Sequence, residues 1–406
     1  MPHLRPRWFL LLLAVLLAGC APAVKPADGG RSSSVAAQPP KISITPTDGT
    51  TGVAPDSTLG VAASDGKLES VSIHPEGDPT PIPGTVSSDR LKWAAGTGLV
   101  PATKYVVNVA ASNGNGSTTA TSHFSTLDGQ RLTTSPMPGD GSAVGVGMPI
   151  ELRFNTPIPS ELEARFISHV TVTSSPAVKG DWHWWGGSSV HWRPADFWAP
   201  GTKVTVSANL LGVNAGNGFW GFGNWSESFA IGERHITKID NASHQMQVFK
   251  NDQLVATYPV SMGVDNHWPT IGGTLYVPYK IQDVQMDSLA LTPPIPHGAP
   301  GGYFEHVYWD TAVSTDGFYI HSAPWSVGDQ GARNVSHGCI NLSEARATDF
   351  FNFSQIGDVV IIQGTPRQAD QDDGEGDWQI PFAQYANSGG PQPPPLPSGG
   401  TGSGGL

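Results

Sequence analysis

Cysteine is nearly missing from this chain, which has only Cys20 and Cys339 in 406 residues. If Cys20 is acylated, no structural disulfide can form, and stability must come from packing. Charge is also scarce: 14% of residues are charged, with 34 acidic against 22 basic, for a net charge of −12. No basic patch stands out, so nucleic acid is excluded as an expected partner. Long patterns of helical period are almost missing as well. What is abundant is glycine (49) and proline (36), among frequent Thr, Ser and Val. That composition points to a mainly β chain with many turns.

The ends have their own character. Arg5 and Arg7 precede an apolar run from Trp8 to Leu17, too short to span a bilayer as a helix. Leu17-Ala18-Gly19-Cys20 follows and looks like a lipobox, with Cys20 as the acylated residue. An ordinary secretion signal with a chance cysteine is the alternative. Residues 21–40, rich in Ala, Pro, Gly and Ser, read as a flexible tether, and 388–406 as a Pro/Gly tail. On this reading the protein is lipid-anchored on the outer face of the cell membrane and reaches into the wall.

The chain then repeats itself. Leu91-Lys92-Trp93 precedes Pro101-Ala102-Thr103-Lys104, and Val190-His191-Trp192 precedes Pro200-Gly201-Thr202-Lys203, an offset of 99. Pro46-Thr47-Asp48-Gly49 and Pro138-Gly139-Asp140-Gly141 form a second matching pair. A repeat of about a hundred residues built of short strands is the size of an immunoglobulin-like sandwich. Two such domains are expected at 41–127 and 128–233, with Trp93 and Trp192 buried in equivalent places. The second is Trp-rich (Trp182, Trp184, Trp185, Trp192, Trp198, Trp220, Trp225). Core and inter-domain packing is the favoured reading of that cluster, a glycan platform the other. His183 and His191 lack a third ligand and are taken as ordinary sandwich residues.

From Glu233 the texture changes to a third, β-rich domain, placed at 234–364, with a packing segment at 365–387. Its one expected helix runs from Ser343, a good N-cap, to Phe353, with Ala345, Phe350 and Phe353 as apolar residues. Just before it stands Ser336-His337-Gly338-Cys339-Ile340-Asn341, eighteen residues after His321 in the case of the cysteine. A thiol attacks as thiolate and needs a base, for which His321 is the better placed histidine. Gly338 lets successive N–H groups converge on one point, as an oxyanion hole requires. Such a set suits acyl transfer through a thioester. A partial zinc site and an inert buried cysteine are the alternatives at this level.

His321-Ser322-Ala323-Pro324-Trp325 followed by Ser336-His337-Gly338-Cys339-Ile340-Asn341 resembles the signature of the L,D-transpeptidase family with a YkuD catalytic domain. Val260-Ser261-Met262-Gly263, Pro269-Thr270 and Asp377-Trp378-Gln379-Ile380-Pro381-Phe382 agree with it, and the layout is similar to the mycobacterial-type lipoprotein enzymes. The resemblance implies Cys339 as nucleophile, His321 as base, the Ser322 carbonyl as its orienter, and backbone amides of His337, Gly338 and Cys339 as oxyanion hole. It implies substrate contacts at Tyr303, Asp316, Gly317, Asn341 and Met286, with Trp325 and Ser336 in the same motifs. A Pro/Gly-rich lid from Thr292 to Tyr303 is expected to be mobile.

The implied reaction is 3→3 cross-linking of meso-diaminopimelate residues in peptidoglycan stem peptides, with carbapenems as covalent inhibitors and no cofactor. An L,D-carboxypeptidase, or a non-catalytic wall-binding lipoprotein, would share these residues. Asn214-Ala215-Gly216-Asn217-Gly218 stands where some relatives carry an acidic loop. Asparagines lack the charge a hard cation prefers, so no metal is expected there.

Overall fold

The computed structural model describes residues 38–291, 293–370, 373–374 and 376–386. The expected secretion signal, Cys20, most of the expected tether, Thr292 and the expected Pro/Gly tail lie outside the described residues. Among the described residues no helix is long and apolar enough to cross a membrane.

The internal repeat is a structural duplication. In the first sandwich one sheet runs Lys41–Thr45, Gly60–Ser64, Lys92–Ala95, Gly84–Val86, and the other Thr50–Val53, Gly116–Thr126, Lys104–Asn113, Lys67–Pro75. The second repeats both orders, as Thr134–Met137, Ile150–Phe154, Ser189–Pro194, Gly180–Trp185 and as Ala143–Val144, Trp225–Ile231, Lys203–Ala208, Val170–Ser175. Trp93 and Trp192 are both buried, on equivalent strands. Each indole lies flat against a glycine of the neighbouring edge strand, Gly84 and Gly180, where a Cβ would overlap the ring.

The second sandwich departs from expectation in two places. A helix, Ser160–Ile167, is inserted between strands, its Phe166 packed edge-on against Phe154 and Trp184. Two turns carrying one buried aromatic show too little periodicity to be read in the sequence. His183 and His191, taken as ordinary sandwich residues, instead fasten the C-terminal segment. His191 Nδ1 lies 3.0 Å from the Asp377 carboxylate, and His183 Nδ1 lies 2.7 Å from the Tyr385 carbonyl. Arg193 donates to the Asp377 and Ile380 carbonyls. Of the seven Trp residues, Trp184, Trp192 and Trp198 fill the core, Trp185 packs with Ile380 and Tyr385, Trp220 is buried, and Trp182 and Trp225 are half-buried against the core.

The third domain has two sheets. A six-stranded one is ordered Gln253–Pro259, Gln245–Lys250, His235–Asp240, Val359–Gln363, Ile271–Tyr276, Arg367–Gln368. A four-stranded one is ordered Lys280–Asp287, Phe304–Ala312, Tyr319–Ser322, Ile340–Leu342. The helix Glu344–Phe353 packs on the second sheet through Ala347 and Phe350, while Ala345, expected among its apolar residues, is exposed. Ser343 occupies the N-cap without a side-chain hydrogen bond. The core of the second sandwich continues into Ile236, Tyr276 and Val359 of this domain. Tyr276 donates to Glu151 (2.9 Å), tying the six-stranded sheet to the second sandwich, and Trp378 Nε1 donates to the Gly147 carbonyl (2.8 Å), tying the C-terminal segment to it as well.

Candidate active site

The four-stranded sheet decides what meets what. Tyr319–Ser322 runs parallel to Ile340–Leu342, with His321 level with Asn341. Cys339 ends the loop that feeds the second of these strands, so an eighteen-residue separation closes to neighbouring strands. His321, Cys339, Asn341, Ser336 and His337 line one cavity of about 240 Å³ together with Met286, Gly301, Tyr303 and Trp325.

His321 is buried, and its Nδ1 lies 2.9 Å from the Ser322 carbonyl. A carbonyl can only accept, so Nδ1 carries the proton and Nε2 keeps its lone pair. Burial pulls the imidazole down to about 4, so at neutral pH it is an uncharged base. Cys339 is partly exposed at the cleft floor, with Sγ 3.8 Å from the Gly317 carbonyl. Desolvation pushes its thiol up to about 12, against the pull of the Tyr319 backbone N–H and with a further push from Asp310. Both shifts favour the neutral thiol–imidazole pair at rest. The thiolate must therefore form together with attack, as the proton passes to His321.

The loop is held from inside. Ser336 Oγ donates to the Cys339 carbonyl (2.6 Å) and accepts the Gly338 N–H (3.1 Å). The Gly338 amide, expected as an oxyanion-hole donor, is thus already engaged, because the Ser336 side chain folds back into the turn. The amides of His337 and Cys339 have no partner among the described residues. Gly338 has φ +126°, and a Cβ there would sit 2.8 Å from the Phe318 ring. Thr270 Oγ1 donates to the Gly338 carbonyl (2.7 Å). Asn341 Nδ2 donates to Ser326 Oγ (3.1 Å).

Of the segment expected as a lid, Gly301, Gly302 and Tyr303 line the cavity. Ser288 Oγ donates to the Ile295 carbonyl (2.7 Å) and accepts the Tyr303 N–H (2.9 Å), tying both residues to one hydroxyl. His337 lies between Trp268, at 4.1 Å between ring centroids, and Tyr303, at 5.0 Å. Burial, reinforced by Cys339, pushes the Tyr303 hydroxyl up to about 12, so it stays a donor. Trp325 stands at the rim, 56% exposed, its ring 6.3 Å from His321. Asp316 and Gly317 do not line the cavity. They form the turn on the far side of the sulfur, where burial raises the Asp316 carboxyl. Thr270 belongs to the Pro269-Thr270 stretch of the family resemblance, while Trp268 and Asp310 carry no local sequence signal that marks them as neighbours of the site.

Residues 50–214 match the bacterial Ig domain family, and residues 234–362 match the L,D-transpeptidase catalytic domain family. L,D-transpeptidase 2 of Mycobacterium tuberculosis is 36% identical over 348 residues, 85% of this chain and 84% of that protein. L,D-transpeptidase 5 of the same organism is 28% identical over 95% of this chain and 86% of its own. Among solved structures, L,D-transpeptidase 3 from M. tuberculosis in complex with a faropenem-derived adduct is 30% identical. It covers 57% of this chain and 97% of its own, with a TM-score of 0.48.

Proposed function

Because this chain belongs to the L,D-transpeptidase family, we propose that it cross-links peptidoglycan by acyl transfer through Cys339. The observation that carries the site assignment is the meeting, in one cleft, of a thiol, a neutral imidazole with a free Nε2, and two unpartnered backbone N–H groups.

The donor is a tetrapeptide stem. Cys339 Sγ attacks the carbonyl at the L-centre of its meso-diaminopimelate, and the thiol proton goes to His321 Nε2. The oxyanion is held by the His337 and Cys339 amides, with the Tyr303 hydroxyl above it. Collapse expels the terminal D-Ala, whose amine takes the proton from His321. The side-chain amine of an acceptor diaminopimelate then attacks the thioester and passes its proton to His321. The sulfur departs and is reprotonated, leaving a 3→3 cross-link. Met286 and Trp325 line the walls, and the Asp316–Gly317 turn lies across the sulfur from them. A carbapenem, as a strained amide, acylates the same sulfur.

The Leu17-Ala18-Gly19-Cys20 sequence supports anchoring by acylated Cys20 on the outer face of the membrane, with the two sandwiches as spacer. Incubating the protein with a tetrapeptide stem tests the catalytic reading by intact mass. An adduct that carries the stem less D-Ala, and vanishes in Cys339→Ala, is expected. No adduct on folded protein would sink it. Product analysis with and without an acceptor amine separates cross-linking from hydrolysis.

A further inference from the structure

One buried acid near the nucleophile has no part in the mechanism above. Asp310 is 0% exposed, and neither carboxylate oxygen has a hydrogen-bond partner on another described residue. The strand that carries it is locally distorted: the preceding Trp309 sits at φ +63°, a conformation that costs a non-glycine residue on the order of 1 kcal/mol or more. The same strand pairs Ala312 with Tyr319 and Thr311 with Ile320. Asp310 and Ala312 therefore share a sheet face with Tyr319 and His321, the face on which the cleft lies. Trp309 is directed the other way, against Phe351 of the helix.

The surroundings of this carboxyl are neutral or acidic. Tyr279 and Tyr319 face it, and their hydroxyls bond to each other at 2.8 Å. His321 lies across the strand pair, uncharged, and Cys339 lies beyond. Asp283 approaches from the neighbouring strand and adds like charge. Lys280 of that strand is turned toward the helix, donating to the Phe351 and Ser354 carbonyls. Among the described residues no cation offsets Asp310, and only its own backbone N–H favours the ionised form.

We propose that Asp310 is a charge gate behind the nucleophile: neutral, it lets Cys339 release its proton to His321, and ionised, it opposes the thiolate. The Coulomb term does this work: a carboxylate in a poorly screened interior raises the energy of a second anion nearby. Burial and Asp283 push the carboxyl up to about 8, so the gate is open at neutral pH and closes in alkaline solution. Asp310 touches no substrate and is a positioning residue that acts through the sulfur.

The gate rests on Cys339 as nucleophile, but its test needs no turnover. The full chain is alkylated with iodoacetamide from pH 6.5 to 9.5, and modification at Cys339 is followed by peptide mass. Asp310→Asn should match the wild type at pH 6.5–7 and exceed it about tenfold by pH 9, where the wild-type profile flattens. Parallel profiles across the range would overturn the proposal. Should Asp310→Asn not fold, infrared spectra of the wild type serve instead. A protonated-carboxyl band at pH 7, lost where the alkylation profile bends, supports the gate, and its absence overturns it. Diverging profiles in a protein that forms no stem adduct would leave the gate standing and remove the transpeptidase reading.

Discussion

His321 donates its Nδ1 proton to the carbonyl oxygen of its own neighbour, Ser322, at 2.9 Å. The orienting group is backbone, so the Ser322 side chain should be dispensable and the imidazole should not. We expect Ser322→Ala to keep its rate of acylation by a carbapenem within about threefold. His321→Asn should lose roughly 100-fold or more, in the range general-base catalysis contributes. The check is loss of β-lactam absorbance in single-turnover conditions.

The same burial predicts a pH signature in stability. The folded imidazole is depressed to about 4 from an unfolded value near 6.5. The unfolded chain therefore binds a proton that the folded one refuses between these values. The contribution is full above about pH 6.5 and lost as the pH falls through about 4. Melting curves from pH 7 to 4 should fall less steeply in His321→Gln than in wild type, and equal slopes would refute the assignment. Acylation by a carbapenem should persist at pH 5.5, because His321 is still unprotonated there.

Gly338 faces two separate constraints, its φ of +126° and the Phe318 ring at 2.8 Å from a would-be Cβ. Gly338→Ala should lower the acylation rate on the order of 100-fold, because a strained turn at Gly338 displaces the adjoining His337 and Cys339 amides, and misplacing one oxyanion donor costs about that much. Adding Phe318→Ala removes the clash but not the backbone strain. The double variant should therefore stay close to the single one in rate, and full rescue would show that the ring alone set the requirement.

Trp325 is mostly exposed at the cleft rim. Trp325→Ala should leave the melting temperature nearly unchanged, as expected of surface substitutions. It should raise KM for the stem several-fold with a smaller effect on kcat. A large drop in melting temperature would mark it as a packing residue.

Asp377 is fully buried, bonded by His191 and by the Tyr385 hydroxyl, with the guanidinium of Arg193 on its carbonyl. Burial would raise its carboxyl, but the neighbouring His191 holds it below its usual range. Asp377→Ala strips the buried His191 Nδ1 and the Tyr385 hydroxyl of their shared carboxylate, leaving only Glu151, 3.9 Å from His191 Nε2, as counter-charge, and should cost about 3–5 kcal/mol in chemical denaturation. It should also release residues 376–386 to protease.

What was legible followed from residues that must recur in a fixed local order. Cys339, His337, Gly338 and Asn341 share a loop, and the Trp, Pro, Thr and Lys of the two sandwiches repeat because each sandwich needs the same turn and the same indole under the same edge strand. The engagement of the Gly338 amide by Ser336 was hidden, since the sequence shows the donor but not which acceptor reaches it first. The roles of His183 and His191 were hidden because Asp377 and Tyr385 lie nearly two hundred residues away.

The sequence by itself determined the β character, the duplication, and the pairing of one thiol with one histidine, because periodicity and spacing are local and survive without a fold. The tertiary structure alone decided the protonation landscape. His321 is a neutral base and Cys339 a reluctant acid because other strands remove their water, and Asp310 stands behind them because two β-strands happen to lie in register. Desolvation and Coulomb terms depend on distance in space, and distance along the chain does not carry them.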